Sequence, residues 1–117
     1  MLTSYVNLDE HMKDEVITDN ELKSRILHKL ARHRRWGGKH TSFDNLAKGF
    51  NPRHLGKEGF ERIKDLGEQL IREGLLIWKP THYGKEVCLN PKMKTRIIEL
   101  IEKSIKIGDW EKEIYFR

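Results

Sequence analysis

The chain has 117 residues, of which 37% are hydrophobic and 35% charged, with a net charge of +5. That is enough for one core built from narrow apolar stripes, and not for two. No run approaches the ~18 consecutive apolar residues of a membrane span. The opening ten residues lack the basic start and apolar run of a secretory signal, and the single cysteine, Cys88, has no partner for an internal disulfide. The expectation is a soluble protein of a reducing, cytoplasmic compartment. The charge is segregated. Residues 1–18 hold Lys13 against Asp9, Glu10, Asp14 and Glu15, a balance of −3, whereas residues 19–40 hold seven basic side chains against Asp19 and Glu21, a balance of +5.

Residues 1–18 show no sustained period and are expected to form an arm. Asp19 or Asn20 can cap a first helix running to about Arg35, with Glu21 in the first turn where it meets the positive end of the dipole. Leu22, Ile26, Leu27 and Leu30 share one side of that helix. At 100° per residue, Arg25, His28, Arg32 and Arg35 share the other. Gly37-Gly38 is read as its end, and Trp36 as folding back onto the core.

Thr41 or Ser42 can cap a short second helix containing Leu46-Ala47 and stopped by Gly49. Gly49 to Gly56, with Pro52 inside it, reads as a loop. A third helix is expected over roughly Lys57 to Glu73, with Phe60, Ile63, Gly67, Leu70 and Ile71 as its buried stripe; Gly67 allows a close approach by a neighbour. Gly74 closes it. Leu75–Lys79 and Lys85–Leu89 then read as a strand pair joined by the five residues from Pro80 to Gly84. Asn90-Pro91 starts a last helix, a capping side chain followed by proline at the first helical position. Met93, Ile97, Ile98, Leu100, Ile101 and Ile105 give it an apolar face wider than a single-core surface helix needs. Gly108 breaks the pattern, and residues 108–117 form an aromatic-rich tail.

In this order of elements the chain resembles the winged helix-turn-helix superfamily, and in particular the small winged-helix proteins of archaea and their viruses, many without assigned function. Leu70-Ile-Arg-Glu-Gly-Leu-Leu76 and Lys79-Pro-Thr-His-Tyr-Gly84 carry the likeness, which covers about residues 20–104. It implies an α+β, mostly α fold with a three-helix core, a β-hairpin wing and an additional C-terminal helix, the domain spanning 19–107. It also implies binding of duplex DNA, with the third helix in the major groove and the wing over the backbone or minor groove, and a role in transcription regulation.

On the residues themselves, the exposed face of the third helix offers Glu58, Glu61, Arg62, Asp65, Gln69 and Arg72. Arg62 and Gln69 suit base edges, while Glu61 and Asp65 would repel phosphates. Arg53, His54 and Lys57 surround the helix start and suit a phosphate. Lys79, His82, Tyr83 and Lys85 ring the wing tip, and Lys39 and His40 extend the basic rim. The stripe on the first helix stays open between flanking DNA, RNA, an acidic protein and the chain's own acidic segment. The wide last helix is consistent with a homodimer through Ile97, Ile98, Leu100, Ile101 and Ile105, or with burial within one chain.

No metal is expected. His28 and His33 are five apart, and there is no CxxC, HxxxH or HExxH spacing. Gly37-Gly38-Lys39-His40-Thr41 lacks the phosphate-loop spacing, and the carboxylates form no evident pair. Neither catalysis nor a cofactor is expected. The alternative to DNA is a winged-helix module that binds RNA or protein within a larger assembly.

Overall fold

A computed structural model describes residues 15–115 of the chain, so the expected arm lies outside the described residues as far as residue 14. The described part is α+β and mostly helical, with one small antiparallel sheet. Helix α1 (Asp19–Arg32) is capped by Thr18, whose hydroxyl accepts the Glu21 N–H at 3.2 Å. Thr18 precedes both capping residues expected from the sequence. Leu22, Ile26, Leu27 and Leu30 are all buried, the stripe that the periodicity sets.

The end of α1 differs from expectation. The helix stops at Arg32, and the reversal is made by Arg34 in the left-handed region (φ 54°). The Arg35 N–H returns to the Leu30 carbonyl and the Arg34 N–H to that of Ala31, both at 2.9 Å. This is a Schellman closure with arginine where glycine is usual. Gly37 comes too late to end the helix. Residues 35–37 instead run beside the end of the sheet, where the Leu89 N–H donates to the Arg35 carbonyl at 2.6 Å.

Thr41 and Ser42 form a two-residue strand, β1, rather than a helix cap. A 3-10 helix (Phe43–Ala47) follows, and a single turn, α2 (Pro52–Leu55), occupies what reads as loop. Asn51 caps α2 and Pro52 takes its first position, so the proline that opposes a continuing helix is the one that begins this one.

Helix α3 covers Phe60–Arg72 and starts only after Gly59, at φ 58°. Its buried residues are Ile63, Leu66, Gly67 and Leu70, a clean 3-4 spacing. Phe60, expected inside, stands one turn before this stripe and is 48% exposed. An alanine methyl placed at Gly67 would lie 2.9 Å from both Leu46 Cδ1 and Phe43 Cε2, so the close approach expected there exists.

Strands β2 (Leu76–Thr81) and β3 (Gly84–Leu89) make a hairpin in register from Leu76↔Leu89 to Thr81↔Gly84. The connection is two residues, His82 and Tyr83, and Pro80 is a strand residue opposite Lys85 rather than part of the turn. Strand order is β1-β3-β2, with Thr41 opposite Val87. Asn90 then caps a 3-10 turn (Pro91–Met93) by accepting the Lys92 N–H, as the sequence indicates, and α4 (Lys94–Ser104) continues from it.

Helix α4 lies against α1, and the Ser24 hydroxyl donates to the Leu100 carbonyl at 2.7 Å across the seam. Ile97 and Ile101 are fully buried, and Ile98, Leu100 and Ile105 pack partly against the core. The wide apolar face is thus covered in full at Ile97 and Ile101 and in part at the other three positions. The expected tail forms α5 (Asp109–Tyr115), which returns to α1: the Trp36 indole N–H donates to the Tyr115 carbonyl at 2.8 Å, and the Tyr115 ring meets His28 edge-on at 6.0 Å. No helix among the described residues is long and apolar enough to cross a membrane.

Candidate nucleic-acid interface

The hairpin tip is the most exposed part of the expected site. His82 and Tyr83 occupy the turn, Tyr83 is 97% exposed, and the two rings meet edge to face at 6.1 Å. A large aromatic side chain left wholly in water contributes nothing to the core, so it is available to a ligand.

The cations behind the tip are less available than the sequence indicates. Lys79 lies 3.7 Å from the Glu86 carboxylate, its cross-strand partner. Lys85 pairs with Glu68 of α3, and its ammonium sits 4.4 Å above the Phe43 ring centroid. The cations behind the tip are thus engaged by Glu86 within the hairpin and by Glu68 of α3. Near β1, Lys39 is exposed, but His40 is occupied: Nδ1 donates to the Gly38 carbonyl at 3.1 Å, and Nε2 faces the Cys88 sulfur at 3.6 Å. Burial pushes the Cys88 thiol up, so it stays protonated and behaves as a core residue.

Around the start of α3 the expected residues separate into two groups. Arg53 is largely exposed, 3.7 Å from Glu15 at the limit of an ion pair, and Lys57 is exposed in the turn between Gly56 and Gly59. His54 is half-buried, and its carbonyl is the more committed part, accepting from the Ile17 N–H at 3.1 Å.

Arg62 is turned inward, which corrects its reading as a base-contacting residue. Its guanidinium donates to the Ile17 carbonyl at 2.6 Å, to those of His54 and Leu55 at 3.3 Å, and to Asp19 Oδ1 at 2.8 and 2.9 Å. It is a buckle joining α1, α2 and α3, and no donor is left for a base edge. Gln69 remains half-buried on α3, beside exposed Asp65 and Arg72. The outward face of α3 is therefore mixed in charge.

The most concentrated cationic surface lies elsewhere. The stripe on α1 forms one wall of a groove of about 940 Å³. Its lining carries six permanent cations, Arg25, Lys29, Arg32, Arg35, Lys48 and Lys106, and three imidazoles, His28, His33 and His54. No carboxylate belongs to the described lining. Phe50 and Ile105 give it an apolar floor. Sequence periodicity finds the α1 stripe but not Lys48 and Lys106, which follow the ends of other elements and reach the groove only through the fold. The usable signal is that each is a lone cation just after a helix, where a short loop must turn.

Crowding perturbs two of these groups. Burial lowers the His28 pKa, with Arg32 acting in the same direction and Glu111 opposing. Burial likewise lowers that of Lys29, helped by Arg32 and Lys48. No group of metal-ligating side chains occurs among the described residues. The chain matches no protein-family model, no curated protein and no solved structure.

Proposed function

We propose that the protein is a winged-helix domain that binds duplex DNA, with α1, α2 and α3 as its helical core and the β2–β3 hairpin as its wing. The single observation that carries this reading is the exposed His82-Tyr83 tip, a projecting aromatic turn directly after a helix pair. Such a tip suits backbone contact or insertion into a minor groove. Lys57, Arg53 and Lys39 supply phosphate contacts, and Gln69 and Arg72 are the α3 side chains available to bases.

With Arg62 committed to the fold and Lys79 and Lys85 ion-paired, phosphate contacts outweigh base contacts. The interaction is thus of modest sequence selectivity, and a regulatory role would rest on occupancy of DNA more than on a tightly read operator.

Fluorescence anisotropy with a labelled random-sequence duplex at several salt concentrations tests the reading. The expected result is binding that weakens by nearly one log unit per log unit of salt for each phosphate contact. Lys57→Glu should reduce that slope by a little under one unit. Absence of binding at low salt overturns the proposal. A second reading, a module for RNA or protein, is favoured by one observation: the cationic groove, with no carboxylate in its described lining, is built on α1 rather than on α3.

A further inference from the structure

The α1 groove has the construction of a site for a linear anion. Arg25 and Arg32 are seven residues apart on α1, so the cations between them extend over about 10 Å. Lys29 is not a free member of the row. Its ammonium donates to the Asn45 carbonyl at 2.6 Å and to that of Lys48, closing the end of the 3-10 helix. That bond fixes the loop bearing Lys48 and Phe50, and so fixes the opposite wall. Arg35 is partly engaged by the His40 carbonyl at 3.3 Å, and Arg25 is 3.9 Å from Glu21. Arg32, Lys48 and Lys106 form no ion pair among the described residues, and all three are exposed.

Like charges gathered with few counter-charges repel one another; Arg32 and Lys48 add to the burial that lowers the affinity of Lys29 for protons. A polyanion laid in the groove relieves that repulsion. Flexibility then selects its form. A single strand can bend to lay successive phosphates and unpaired bases along the lining, whereas a stiff duplex keeps its bases stacked and paired.

The lining chemistry selects nucleic acid over an acidic peptide. Phe50 and the His33 ring lie among the guanidinium groups, and flat apolar or cationic faces between phosphate contacts are what an unpaired strand uses for its bases. Carboxylate side chains have no use for such faces.

We propose that the groove between α1, the Lys48–Asn51 loop and Lys106 binds a single strand of nucleic acid, through its phosphates at Arg32, Lys48 and Lys106 and its bases against Phe50. The groove shares His54 with the expected duplex rim, but its phosphate contacts, Arg32, Lys48 and Lys106, are not among those proposed for the duplex.

The test is anisotropy of the full chain with labelled dodecamers of oligo(dT) and oligo(U) at about 50 mM salt and upward. Binding to either is expected, with a log–log salt slope near −2 for about three phosphates, and the ratio of the two reports contact to the 2′-hydroxyl. Arg32→Glu with Lys48→Glu should weaken binding at least about tenfold. Lys64→Glu with Arg96→Glu makes the same charge change on other surfaces and should weaken it by no more than about twofold. Excess polyglutamate at equal charge should not displace the strand. Arg32 and Lys48 are exposed, and neither side chain is hydrogen-bonded among the described residues, so the double variant folds, with only the small loss in melting temperature that an anion at the end of α1 brings. Photocrosslinking of a 5-iodouracil oligonucleotide to the unaltered protein gives an independent readout, with adducts expected at 48–54 or 104–106. Absence of strand binding, equal loss in the control variant, displacement by polyglutamate, or adducts confined to other segments would each overturn the proposal.

Discussion

Arg62 shows how one side chain can change its meaning between sequence and structure. On a helical projection it faces outward with Glu58 and Gln69 and suits a base edge. In the fold its guanidinium is held by three backbone carbonyls and one carboxylate. Asp19 is 62% exposed, so the ion pair itself contributes little, and the partly buried carbonyls matter more. Arg62→Ala should lower stability by about 2 kcal/mol in denaturant unfolding, because those carbonyls lose a charged donor. Lysine cannot span the same acceptors and should not restore it. A variant that lost DNA affinity at unchanged stability would return Arg62 to the ligand face. His28 makes a prediction of the opposite kind. Its Nε2 is shielded and has no hydrogen-bond partner in the described structure, and burial holds its pKa below the ordinary 6.5. As pH falls below 6.5 the unfolded chain takes the proton first. The neutral ring's contribution is therefore complete above that pH and is lost as pH falls through the lowered folded value. Melting temperature should drop over this window in the unaltered protein, and His28→Asn should flatten the drop.

Among the elements, the contact of α3 with the 3-10 helix is the tightest point. Gly67 has space for no side chain, since Leu46 and Phe43 already stand where a methyl would go, and both are buried. Gly67→Ala should destabilise by about 1 kcal/mol, overpacking outweighing the gain in helix propensity, as read from the denaturation midpoint. The same region shows what the sequence does and does not reveal. Leu22, Ile26, Leu27 and Leu30 announce α1 because a helix period needs only local spacing, and Asn90-Pro91 announces the last helix because a cap is satisfied within three residues. Thr41-Ser42 cannot announce β1, because two residues carry no period and the strand exists only opposite Val87 and Glu86. The end of α1 was misplaced because Gly37-Gly38 is the obvious stop, yet arginine at 34 takes the left-handed turn. Lys79 and Lys85 look free in a hairpin read alone; Glu86 follows from register, but Glu68 comes from α3 and is visible only once the sheet is folded against it.

At the scale of the molecule, two cationic regions coexist with different degrees of internal neutralisation. Cations behind the hairpin tip meet Glu68 and Glu86, while those of the α1 groove meet no carboxylate in its described lining. Part of the charge segregation along the chain therefore survives folding: Arg25, Lys29, Arg32 and Arg35 of the basic segment form one wall, and Lys48 and Lys106 join them across the groove. The sheet has a quieter property. In a hairpin closed by a two-residue turn, Thr81 and Gly84 exchange the closing hydrogen bonds, so the next pair, Pro80 and Lys85, is one whose amides point away from each other. Position 80 faces the open edge of β2, and proline leaves that edge without a donor. A strand from another molecule looking for a ladder to extend meets a gap there, beside the bulky and half-exposed Trp78. Pro80→Val restores the donor in a strand-forming residue and should bring concentration-dependent association, seen as a rising sedimentation coefficient. The proline thus keeps a projecting, aromatic-tipped hairpin from becoming a seed for aggregation.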